Sequence, residues 1–119
     1  MIGRLRSVVL DCPAPWELAR FYQGVLGGEF LPGSDDTWVV LLEPDGRRLA
    51  FQLAGDYRPP VFPDPHASQQ FHLDILVEDV DAAEPQVLAL GAKLVQPNDP
   101  DQFRVYTDPV GHPFCLVWL

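Results

Sequence analysis

Residues 26–31 read LGGEFL, and residues 90–95 read LGAKLV. Both say the same thing. An apolar segment stops at glycine, and a short strand-like run follows. They lie 64 positions apart, from Leu26 to Leu90.

Working outward, each is preceded by a helix. Upstream of the first, Trp16, Ala19, Phe21, Tyr22, Val25 and Leu26 recur at near-helical spacing, and Pro15 suits a first helical turn. Upstream of the second, Asp79 or Asp81 is the expected cap and Gly91 the stop. Pro85 is expected within the first turn or two of that helix, because deeper placement would kink it. A strand opens each half, LRSVVLDC (5–12) and FHLDILV (71–77). A hairpin closes each half. Pro44-Asp45-Gly46 is the turn in TWVVLLEPDGRRLAFQLA, and Asp108–Gly111 is the turn in FRVYTDPVGHPFCLVWL. The repeat is therefore a βαβββ unit used twice. The expected fold is α+β: two βαβββ modules forming a curved eight-stranded mixed sheet around a central cup, with the helices outside. The expected organisation is one domain, with module one at about 1–56, a proline-rich connector at about 57–69, and module two at about 70–119.

Composition agrees. A chain of 119 residues with 47% hydrophobic and 21% charged residues is one globular domain. The net charge of −9 excludes nucleic acid and anionic membrane as natural partners. The N-terminus reads as a strand start and not as a signal peptide, and no apolar run is long enough to span a bilayer. Cys12 and Cys115 are expected as reduced thiols in a cytoplasmic protein.

The stretches VVLDCPAPWELARFYQGVLGGEF, RRLAFQLAGDYRPPVFPDP, FHLDILVEDVDAAEPQVLALGAKLV and YTDPVGHPFCLVWL resemble, in that order, the vicinal oxygen chelate superfamily. This superfamily contains glyoxalases, extradiol dioxygenases and bleomycin-resistance proteins. The narrower resemblance is to its glyoxalase-like branch. It implies a small-molecule cavity and, in metal-using members, one ligand on the first strand and one on the last strand of each module. Those ligands are usually His on the first strands and Glu or Gln on the last. Carried over by position, the places are Ser7, Gln52, His72 and Cys115. The offsets agree, at 65 positions from Ser7 to His72 and 63 from Gln52 to Cys115. Strand alternation puts all four on the faces opposite the more apolar ones.

As a metal set these residues are poor. The serine hydroxyl stays protonated, the glutamine is a weak neutral donor, and a thiol in apolar surroundings keeps its proton. No carboxylate is among the four, although Asp11 and Asp74 lie nearby on the same expected faces. The reading is thus a small-molecule-binding protein without a metal, whose ligand contacts are Ser7, Trp38, Gln52, His72, Asp74, Tyr106 and Cys115. The aromatic members would stack on a flat ligand. His72 is also a candidate general base, and His66 and His112 read as loop residues. The alternatives are a lyase or dioxygenase holding one divalent metal (Zn, Mn, Fe or Ni) through His72, Gln52 and Cys115, and an interaction module whose cup is filled by its own side chains. A homodimer is expected, because open sheet edges benefit from cover.

Overall fold

The structure is a computed structural model and describes residues 1–61, 64, 66 and 71–119. It divides into two compact units, Met1–Tyr57 and Arg58–Leu119. In the proline-rich connector, residues 62, 63, 65 and 67–69 lie outside the described residues.

In the first unit, strand β1 (Val8–Cys12) leads to helix α1 (Pro15–Leu26), then to β2 (Glu29–Phe30), β3 (Trp38–Leu42) and β4 (Arg48–Leu53). The sheet order is β1-β4-β3-β2, with β1 parallel to β4 and the other pairs antiparallel. Pro15 opens α1, where its missing N–H costs no hydrogen bond. Gly27 caps its end at φ 73°, and its N–H donates to the Gln23 carbonyl. The buried face of α1 carries Leu18, Ala19, Phe21 and Tyr22. It rests on β3 and β4, where Tyr22 stacks on Phe51 at 5.7 Å.

Phe51 is in register with Leu10 and Val39, so these residues define the helix-covered face of the sheet. Val9, Asp11, Trp38, Val40, Arg48, Ala50 and Gln52 lie on the other face. β1 is an edge strand, and Val8 keeps 38% of its surface exposed although it is on the helix side.

The second unit repeats the plan: β5 (Leu73–Leu76), α2 (Val80–Ala89), β6 (Lys93–Asn98), β7 (Phe103–Thr107) and β8 (Pro113–Val117). Its order is β5-β8-β7-β6, again with a parallel first pair. Asp79 caps α2 by accepting hydrogen bonds from the N–H groups of Asp81 and Ala82. Pro85 sits in the second turn as the sixth residue of α2, where it removes the hydrogen bond to the Asp81 carbonyl. Pro97 is tolerated because β6 is an edge strand, and a bulge between Leu94 and Gln96 shifts the register there.

On the helix side of this sheet lie Leu73, Ile75, Arg104, Tyr106, Phe114, Leu116 and Trp118. Arg104 ties α2 to the sheet. It donates to Glu84 at 2.7 Å and to Asp81 at 2.9 Å, and its fork closes on Asp99 at 2.8 and 2.7 Å. The Trp118 ring lies 5.8 Å from its guanidinium carbon.

Both βαβββ modules and all eight expected strands are present. They hydrogen-bond as two four-stranded mixed sheets. The sequence reading starts the second module's first strand at Phe71. The structure starts β5 at Leu73, and Phe71 is 87% exposed, so it does not belong to the packed face.

Candidate functional site

The four positions singled out in the sequence lie two in each module. Ser7 immediately precedes β1, and His72 immediately precedes β5. Gln52 lies on β4, and Cys115 lies on β8. In each module the first and last strands are parallel neighbours, but the register sets Gln52 opposite Asp11, four residues past Ser7, and Cys115 opposite Asp74, two residues past His72.

In the first module the face is already engaged. Arg48 starts β4 directly across from the end of the N-terminal arm, and its Nε donates to Ser7 Oγ at 3.2 Å. Gln52 pairs in register with Asp11, and its side-chain amide donates to Asp11 Oδ1 at 3.3 Å. Trp38 pairs in register with Gln52 on β3 and is 36% exposed, which leaves part of its ring available on that face.

In the second module the structure adds a residue that the positional carry-over left out. Asp74 pairs in register with Cys115 across β5 and β8. His72, two residues before Asp74, presents its side chain to the same face, with Nε2 at 3.2 Å from Asp74 Oδ1. One donor atom from each of His72, Asp74 and Cys115 lies within 4.8 Å of the others. The His72 and Asp74 side chains are 39% and 59% exposed, whereas Cys115 is 7% exposed. Burial pushes the Cys115 thiol up to about 11, and the Asp74 carboxylate, by its charge and by accepting the thiol proton, pushes the same way. Both cysteines are buried thiols.

Tyr106 does not join this group. It alternates with Val105, the register partner of Cys115, and so points to the helix side. There it is fully buried and stacks on Phe114 at 5.4 Å, and its hydroxyl donates to Glu84 at 3.3 Å. Burial and the neighbouring Glu84 charge raise its hydroxyl to about 12. Its role is packing beneath α2. The sequence could not separate it from Trp38, because both are strand aromatics. Only the register shows which face each occupies. His112 is half-buried in the Asp108–Gly111 turn, where its backbone N–H donates to Asp108 Oδ1.

A divalent metal of the kind used by relatives does not fit the four carried-over positions. Ser7 is already an acceptor for a guanidinium, which places a fixed positive charge where a cation would bind. The Gln52 amide is turned to Asp11. Cys115 holds its proton well above neutrality, and a metal ligand must be the thiolate. The donors that do converge are His72, Asp74 and Cys115, all in one module. They form a mixed nitrogen, oxygen and sulfur set suited to a softer ion than Mn or Mg.

Twin βαβββ modules are the architecture of the vicinal oxygen chelate class. More narrowly, the chain belongs to the glyoxalase-like domain family, whose model matches residues 7–117. Among solved structures, it is similar to a glyoxalase/bleomycin resistance protein/dioxygenase family enzyme from Burkholderia phytofirmans PsJN. That match has 17% identity and a TM-score of 0.77, and covers 98% of each chain. It is similar to a possible glyoxalase from Bacillus cereus, at 15% identity and TM-score 0.73, covering 98% of this chain and 99% of that one. It is also similar to the fosfomycin resistance protein FosX from Mesorhizobium loti, at 18% identity and TM-score 0.69, covering 98% and 92%. At these identities the likeness is one of fold. No curated protein matches the chain significantly.

Proposed function

We propose that the protein binds a small organic molecule, without a catalytic metal. The observation that carries this reading is the Arg48–Ser7 hydrogen bond, which puts a cation at a position where metal-using relatives have a ligand. The candidate contacts are Ser7, Trp38 and Gln52 on the first module's sheet and His72, Asp74 and Cys115 on the second module's sheet, each group taken on its own. Trp38 supplies a flat apolar surface, and the polar groups fix orientation. Elemental analysis of untagged protein tests this reading. Sub-stoichiometric metal is expected, and one retained metal per chain that is lost in His72→Ala would overturn it.

A second reading is favoured by one observation, the convergence of His72, Asp74 and Cys115. It is a metal-dependent lyase or dioxygenase with an atypical ligand set, in which Asp74 takes the place expected for Gln52. If so, His72→Ala abolishes both metal content and activity. Protein that holds no metal after growth with Mn, Fe, Ni and Zn removes this reading.

A further inference from the structure

We propose that the start of the first module carries a second site, for a small oxyanion such as a phosphate, phosphonate or carboxylate group, anchored by Arg48. Beside the N-terminal arm lies an open groove of about 570 Å³, lined by Gly3, Arg4, Leu5, Arg6, Gly46 and Arg48. Three of the chain's 8 basic residues meet there, and no carboxylate lines the groove, although the chain's net charge is −9.

The three well-placed arginines of the structure differ in what they bind. Arg47 closes on Asp45. Arg104 is satisfied by Asp81, Glu84 and Asp99. Arg48 has its Nε held by Ser7 Oγ at 3.2 Å, and among the described residues no carboxylate pairs with it. A half-buried guanidinium oriented through Nε, with its terminal N–H fork unpaired, is pre-set for the two oxygens of an oxyanion. Arg4 and Arg6 line the same groove and add charge. Gly46, at φ 95° in the β3–β4 turn, lines the groove beside open space, with nothing within 4 Å of where a Cβ would stand. A polyanion such as nucleic acid would meet the repulsion of the whole acidic chain, whereas a small oxyanion meets mainly the local arginines. Ser7 is a positioning residue here: it acts through Arg48.

This inference shares the Arg48–Ser7 hydrogen bond with the metal-free reading, but the two fail separately. Elemental analysis tests that one, and anion titration tests this one. The test is calorimetric titration of the full, untagged chain with inorganic phosphate, and in parallel with acetate, at low ionic strength. Wild type binds phosphate saturably, more tightly than acetate, and more weakly as salt is added. Arg48→Gln weakens phosphate binding by about tenfold, the worth of roughly one charge-assisted pairing. Arg48→Lys keeps the charge without the fork and stays weaker than wild type. Ser7→Ala weakens binding while leaving the charge unchanged. Arg20→Gln removes the same charge from α1, where Arg20 lies over the Trp16 ring, and leaves phosphate affinity unchanged. The paired change Arg4→Gln and Arg6→Gln, in an arm outside every strand, weakens binding without touching the fold. Absence of saturable phosphate binding by wild type overturns the proposal. So does equal weakening by Arg48→Gln and Arg20→Gln, which would make the effect one of net charge alone.

Discussion

Cys115 shows how a neighbour one strand away changes a residue's chemistry. From sequence it is a thiol among apolar side chains. In the structure it is also the register partner of Asp74, and both burial and that carboxylate hold its proton. Two outcomes follow. Alkylation of Cys115 should be slow at neutral pH and accelerate only as pH approaches about 11. Asp74→Asn should speed alkylation at a given pH, but only in part, since burial is the larger cause; mass spectrometry of the labelled peptide reads both.

The sign for stability is equally definite. Below the ordinary value of 9.0, Cys115 is protonated in folded and unfolded chains alike, and its contribution is complete. Between that value and about 11 the unfolded chain ionises first, so the native state loses stability as pH rises. Tyr106, raised to about 12, acts in the same direction at still higher pH. Urea midpoints should therefore fall across this alkaline window. Cys115→Ser should flatten the fall in its lower part.

At the scale of elements, the helix ends were the most legible feature of the sequence and are the most demanding in the structure. Gly28 has φ 97°, and a Cβ there would come within 2.3 Å of the Leu42 carbonyl oxygen. The turn from α1 into β2 thus needs glycine both for its backbone conformation and for its close approach to β3. Gly28→Ala should destabilise the chain by more than about 1–2 kcal/mol, the cost of left-handed backbone alone, as measured by urea unfolding. Asp79 was one of two candidate caps, and the structure selects it over Asp81. Asp81 instead binds Arg104. Asp79→Ala should cost about 1 kcal/mol.

Arg104 itself was not legible. Nothing in FRVYT says that an arginine between apolar residues will be buried. Its position becomes tolerable only when α2 brings Asp81 and Glu84, and the turn before β7 brings Asp99. The Arg104 hydrogen bonds hold the Asp99 carboxyl below its ordinary value of 3.8. The stability this lends is present above that value and is lost as pH falls below it. Acid should therefore loosen the Asp99 turn from Arg104, and Arg104→Gln should remove hydrogen-exchange protection from α2 before the rest of its module.

At the scale of the whole molecule, no helix among the described residues is long and apolar enough to cross a membrane. Each sheet leaves two edge strands, and Val8, Val9 and Leu94 on those edges are exposed. We expect a homodimer, since exposed edges favour pairing with another chain. Sedimentation at micromolar concentration checks this, and a monomer would count against it.

The sequence alone determined the double βαβββ plan, because the signals that specify it are local: glycine stops, a capping aspartate, proline-containing turns and strand alternation act over a few residues each. Ser7, Gln52, His72 and Cys115 came from the family resemblance, with the repeat offsets in support, and no local signal singles them out. What only the tertiary structure decided is which partner each of them has. Register across parallel strands brought Asp74 to Cys115 and Arg48 to Ser7, and it turned Tyr106 away to the helix side. Those pairings join residues about 40 positions apart, and no local pattern encodes them. They decide whether a hydroxyl is a ligand or an acceptor for arginine, and whether a thiol is a nucleophile or a held proton.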